Sequence, residues 1–165
     1  MNLQQFRDKI AIFDFQFRKD LKTTIPKIIA NKAVFLFKKN FQDESFFGAR
    51  WKEVNRRIPH QQSYFTKSGK KRTRVAPAKG ADGKRKILSG RTGNLGRSIK
   101  SVVLDFAVKI ISDLPYSRAH NEGTDNAGRG HRTRIPQRQF IGDSPEIRDL
   151  TQKTITDYFY KDINK

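Results

Sequence analysis

Cysteine is absent from this 165-residue chain, which excludes a disulfide framework, a thiol nucleophile and every cysteine-based zinc site. Long apolar runs are also missing. None approaches the roughly 18–20 residues that span a bilayer. The opening stretch MNLQQFRDKIAIFDFQF carries acidic residues and no small-residue cleavage site, so it is not expected to be a signal peptide. The default expectation is a soluble protein from a reducing compartment. Acidic residues are scarce, 16 against 35 Lys and Arg, giving a formal charge of +19. The imbalance is local: residues 61–100 hold a single acid, Asp82, and more than half of the net excess. Such a block attracts nucleic acid or acidic protein surfaces, or is simply a solvated loop.

Apolar residues make up 35% of the chain, and the 13 Phe are its main core-building material. The length suits one domain over 1–165. Phe6, Ile10, Phe13, Phe17 and Leu21 are spaced as one helical stripe, expected to pack into a core. Pro26 suits the first turn of a second helix, with Thr24 as its cap. Ile25, Ile29, Ala33, Leu36 or Phe37, and Phe41 continue that helix, so two helices joined by a kink are expected over 3–41. Trp51, with Phe46 and Phe47 around Gly48, is expected to anchor a loop onto them. Residues 61–86 are basic and poor in large apolar side chains. Their part from 66 to 86 reads as an excursion that is mobile in isolation. SIKSVVLDFAVKIIS reads as an antiparallel hairpin, Ile99–Leu104 against Ala107–Ser112, breaking near Asp105. LPYSRAHNEG reads as a short helix closed by Gly123. TDNAGRGHRTR reads as a loop, and RIPQRQF as a short extended piece that Pro136 confines to an edge. Ser144 and Pro145 start a last helix, with Ile147, Leu150, Ile155, Tyr158 and Phe159 on its buried face. The class is α+β: an antiparallel β-sheet packed by an N-terminal pair of helices and a C-terminal helix.

ILSGRTGNLGRS has glycines at 90, 93 and 96, but G-x-x-G-x-x-G matches neither a phosphate-binding loop nor a dinucleotide fingerprint. These glycines are expected to permit positive φ in a tight turn. HNE at 120–122 has the H-x-E of zinc deaminases without the C-x-x-C that must accompany it. His120, Asn121 and His131 fit an HNH-type metal site poorly, and no carboxylate pair has catalytic spacing. No enzyme activity, cofactor or metal is expected. Lys70, Lys71, Arg72, Arg74, Lys84, Arg85 and Lys86 are candidates for contact with DNA phosphates or an acidic partner.

Three segments in order, KILSGRTGNLGRSI (86–99), SDLPYSRAHNEGT (112–124) and IPQRQFIGDS (135–144), resemble the phage virion morphogenesis family. These are tail-completion proteins typified by protein G of phage Mu and protein S of phage P2. Ahead of them, NFQDESFFGARWKEV is similar to that family's F-x-x-E…G…W element, which includes Trp51. The resemblance runs from about residue 20 onward. It puts a turn at Leu88, Thr92, Gly93, Leu95 and Ser98, and a short helix at Pro115, Tyr116, His120 and Gly123. A last segment follows at Ile135, Pro136, Arg138, Phe140 and Gly142. Ser117 stands where Ala is usual. The resemblance implies a structural virion protein, a tail-completion or head–tail joining subunit at the neck, assembled in the host cytoplasm. Its implied partners are copies of itself in a ring, expected to be a hexamer, the tail tube or terminator, and head-connector proteins, with DNA in the lumen and no membrane. The basic excursion is expected on an outer or interfacial surface, because a uniformly basic lumen would hold DNA. The alternative is a basic nucleic-acid-binding module contacting DNA phosphates.

Overall fold

The computed structural model describes residues 2–76 and 84–163. Helix α1 spans Leu3–Lys22 and α2 spans Thr24–Asp43. Asn2 caps α1, its Oδ1 accepting from the Gln5 amide at 2.8 Å while Gln5 returns a bond to the Asn2 amide. The expected kink falls at Thr23. Thr24 does not cap α2; its hydroxyl donates to Asp20 Oδ1 at 2.8 Å, and the cap position is Thr23, whose hydroxyl donates back to the Lys19 carbonyl at 2.9 Å rather than capping α2. Burial pushes the Asp20 carboxyl up, but hydrogen bonds from Gln16, Thr24 and Tyr158 outweigh it and hold the group below its ordinary value.

Strands β1 (Ser45–Phe46) and β2 (Ala49–Arg50) form a small hairpin, followed by a 3₁₀ turn at Asn55–Arg57. Strands β3 (His60–Phe65) and β4 (Lys71–Ala76) pair antiparallel. One helical turn, α3 (Asn94–Arg97), then leads into β5 (Ile99–Leu104) and β6 (Ala107–Ser112). These pair in the expected register, with Ile99 opposite Ser112 and Leu104 opposite Ala107. Helix α4 (Ser117–Glu122), strands β7 (Thr124–Ala127) and β8 (Thr133–Ile135), and helix α5 (Pro145–Ile163) complete the order. Ser144 Oγ accepts from the Ile147 amide at 3.3 Å at the start of α5, as its sequence implied.

The chain is mixed helix and strand, as expected, but among the described residues the strands form four separate two-stranded sheets rather than one. Each is a local hairpin, and α2 supplies the surface on which β5–β6 packs. Two hairpins were not foreseen. The basic excursion read over 66–86 carries β4, which pairs with β3 just ahead of it, while residues 77–83 lie outside the described residues. The loop read at TDNAGRGHRTR is the β7–β8 hairpin, irregular between Thr124 and Ala127. Pro136 follows β8 rather than sitting in a strand. Both hairpins lack an apolar half to alternate with a polar one, which is the signal that marks a strand in sequence.

Ala33, Phe37, Phe41, Trp51, Ile87, Leu95, Ile99 and Phe140 make the core. Phe41 lies 5.2 Å from Phe140 and 5.5 Å from Trp51, centroid to centroid. Phe13 and Phe17 of α1 meet Phe159 of α5 edge-on at 5.5 and 5.3 Å. The rest of that stripe departs from expectation: Phe6 and Ile10 are 47% and 51% exposed. The first turns of α1 run past the body, where the core has no surface to offer them.

Candidate functional site

The three motif segments are separated in sequence by the β5–β6 and β7–β8 hairpins and meet in space. In the first, Gly90 and Gly93 take φ of +54° and +65°, as the turn reading required, and the non-glycine Leu88 takes +60°. Gly96 has a different role. It sits in α3, where a Cβ would lie 3.4 Å from the Phe41 ring. Leu95 is buried in the core, and Ser98 Oγ donates to the Leu95 carbonyl at 2.8 Å and bonds Ser112 Oγ at 2.6 Å.

In the second segment Pro115 is exposed ahead of α4, and Tyr116 lies edge-on to His120 at 6.0 Å. Gly123 closes the helix at φ +78°. A Cβ there would come within 2.8 Å of the Gln137 amide nitrogen, so glycine is required by space as well as by conformation.

The third segment is tied to the second by main-chain and side-chain bonds. The Arg138 amide donates to the His120 carbonyl at 2.8 Å. Asn121 Oδ1 accepts from the Phe140 and Ile141 amides at 2.9 and 3.0 Å. Sequence reasoning weighed Asn121 only as part of a nuclease motif and missed this brace; nothing in its spacing announces it. Arg138 is buried, with Nε donating to the Lys52 carbonyl at 3.0 Å and Nη2 to that of Glu53 at 3.4 Å. Trp51 packs edge-on to Phe41 of α2, anchoring its loop there as expected, and its Nε1 also donates to the Gln139 carbonyl at 2.7 Å. Phe140 is fully buried, while Ile135, Pro136 and Gly142 are half-buried around it.

Between the segments lies a cleft of about 260 Å³, lined by Val54, Leu88, Thr92, Tyr116, His120 and Arg138 among others. Among the described residues, His120 Nδ1 is buried without a hydrogen-bond partner. Burial first, and then the Arg138 charge, pushes the His120 imidazole below its ordinary value, so it is neutral near pH 7. Burial and the neighbouring Arg56 charge likewise lower Arg138, against Glu53. Among the described residues no three His, Asp or Glu side chains are grouped to hold a metal ion. His131 is held apart from any such group by its own turn, Nδ1 lying 3.3 Å from the Asn126 carbonyl oxygen.

The basic candidates divide into two sets. Lys70, Lys71, Arg72 and Arg74 lie on the exposed β3–β4 ribbon. Lys84 is exposed at the ribbon's return, whereas Arg85 and Lys86 belong to a clamp at its root. There Glu44, the glutamate of the F-x-x-E pattern, accepts from Arg57 Nη1 and Nη2 at 2.8 and 2.5 Å. The Ile87 amide donates to the same carboxylate at 2.6 Å. Arg56 and Arg57 donate to the Arg85 carbonyl at 3.0 and 2.9 Å, and Lys86 Nζ donates to the Gln42 carbonyl at 2.6 Å. The bonds from Arg57 hold the Glu44 carboxyl below its ordinary value, against partial burial. The sequence pattern pointed to Glu44, but not to its partners thirteen and 43 residues away.

Among the described residues, no helix is long and apolar enough to cross a membrane. No curated protein and no solved structure matches the chain. A family profile does, over residues 52–160, taking in all three motif segments and leaving Trp51 just outside. On that match, which covers well over half of its length, the chain belongs to the phage virion morphogenesis family.

Proposed function

We propose that this protein is a structural subunit of a tailed-phage virion, one that completes the tail and joins it to the head connector as a closed, six-membered ring at the neck. The observation that carries this reading is the family match over residues 52–160. The chain works by packing against copies of itself and against the adjoining tail and head-connector proteins, not by transforming a substrate. Two features support an assembled state. Leu3, Phe6 and Ile10 extend the apolar stripe of α1 beyond the body, where a neighbouring copy would cover it. The surface is also large: 12339 Å², where a compact monomer of 19.1 kDa is expected to expose about 8,400 Å². The polar motif side chains support a building role too, since Asn121, Arg138 and Trp51 are spent on internal main-chain bonds.

Mass analysis of purified virions, with imaging of labelled particles, tests the reading. Several copies per particle, located where tail meets head, are expected. A protein absent from the finished particle, and monomeric at every concentration, overturns it.

A further inference from the structure

We propose that the β3–β4 ribbon is a docking element for duplex DNA, and that it binds phosphates through one of its two faces. The strands pair with Tyr64 opposite Arg72 and Gln62 opposite Arg74. Paired residues share a face and alternate positions reverse it, so these four side chains stand together. Phe65, Lys71, Ser63, Thr73, Gln61 and Val75 occupy the other face. On the first face the Arg74 guanidinium lies 5.4 Å from the centre of the Tyr64 ring, and its Nη2 reaches Gln62 Oε1 at 3.5 Å. Arg72 and Arg74 are two residues apart on one strand, so their forks are spaced along the ribbon by about 6.6 Å.

Charge complementarity selects the partner. No Asp or Glu occurs anywhere from Val54 to Ala81, so the ribbon carries cations of one sign with no carboxylate to neutralise them. Lys67 and Lys70 continue the charge around the tip, which is held in shape by bonds between Thr66 and Lys70 and by Gly69 at φ +77°. Arginine forks match phosphate oxygens bidentately. A two-stranded ribbon also fits a major groove about 12 Å wide. An acidic protein surface would call for an apolar anchor at the centre of the contact. On the arginine face the Tyr64 ring is engaged by the Arg74 guanidinium on one side, and the more exposed Phe65 lies on the opposite face. The clamp of Glu44, Arg56 and Arg57 fixes the ribbon's root at the Arg85 carbonyl, and Lys86 Nζ is turned to the Gln42 carbonyl. This is a single projecting element, so it can hold DNA without making a whole channel basic. The inference goes beyond the assembly reading and stands apart from it: binding of duplex by a protein missing from the particle would defeat that reading alone.

The test uses the full-length protein and a short duplex of random sequence, with affinity measured across a salt series. Arg72→Gln with Arg74→Gln is expected to weaken binding by roughly 10- to 100-fold at 0.1 M salt and to lower the log–log salt slope by about 2. Arg72→Lys with Arg74→Lys, which keeps charge and ribbon, should retain the slope. Lys71→Gln on the opposite face should change affinity by less than either arginine alone. Unchanged circular dichroism in each variant establishes that the fold is kept. An equal loss from Lys109→Gln with Lys153→Gln, which removes the same charge elsewhere, overturns the proposal. So does displacement of the duplex by polyglutamate at matched charge concentration, which would mark the ribbon as a site for acidic protein.

Discussion

Gly123 and Gly93 both take positive φ, +78° and +65°, yet their substitution should not cost the same. At Gly93 an added Cβ meets nothing nearer than the Ser89 carbonyl at 3.9 Å. Only left-handed backbone strain remains, about 1–2 kcal/mol. At Gly123 the same methyl would sit 2.8 Å from the Gln137 nitrogen and 3.2 Å from the Ile135 carbonyl, both main-chain atoms. The β8 end of the third segment must then move, and with it the bond from the Arg138 amide to His120. Gly123→Ala should therefore cost about 3 kcal/mol or more, at least twice the cost of Gly93→Ala, in denaturant unfolding of the two variants. Equal costs would show that the third segment yields freely. Glu44 permits a second test, because its effect depends on pH. Its folded carboxyl is held below the ordinary 4.5 by Arg57. A depressed carboxyl stabilises the fold fully above its unfolded pKa, and that contribution fades as pH falls through the lower folded value. Glu44→Gln should cost about 2 kcal/mol near pH 7, and the gap to the wild type should close steadily below about pH 4.5. A gap that is constant with pH would mean that the clamp works through shape, not charge.

Elements differed in how plainly they could be read. The β5–β6 hairpin was legible down to its register, because the stretch is rich in β-branched residues and the Asp105–Phe106 turn interrupts them. The α1–α2 pair was legible from its stripe and from Pro26. The ribbon was not: it has no core to face, so its alternation is of arginine with threonine and valine rather than of polar with apolar. The cleft was not read from the sequence: the family resemblance named Leu88, Thr92, Tyr116, His120 and Arg138, but not that they line one cavity. Its walls come from segments around residues 54, 90, 118 and 138, and no local pattern says that they meet. Asn121 and Arg138 bind main-chain atoms, which have no signature in sequence at all. The stripe on α1 shows the converse limit. Its period is the same along its whole length, but Phe13 and Phe17 meet Phe159 and Leu21 is half-buried, while Phe6 and Ile10 stay exposed. Periodicity identifies a face that must be covered and is silent on whether the cover comes from the same chain.

For the whole molecule, two quantities oppose each other. A charge of +19 on a chain of this size drives copies apart, while in the proposed assembly burial of the exposed stripe of α1 would draw them together. Exposed charges are screened over about 8 Å at physiological salt, whereas apolar contacts are not weakened by salt. Self-association should therefore increase as salt is raised, the reverse of what the ribbon should show toward DNA. Leu3, Phe6 and Ile10 are 47–70% exposed and do not support the monomer's core, so their replacement by polar residues should leave its unfolding midpoint almost unchanged. The same Leu3→Gln, Phe6→Gln, Ile10→Gln variant should lose association, because each apolar side chain removed from a contact forfeits about 1.5–3 kcal/mol. Sedimentation across protein and salt concentration separates the outcomes. A variant that assembles as the wild type does would move the self-contact away from α1. A variant that unfolds more readily by itself would show that the stripe already has a partner within its own chain.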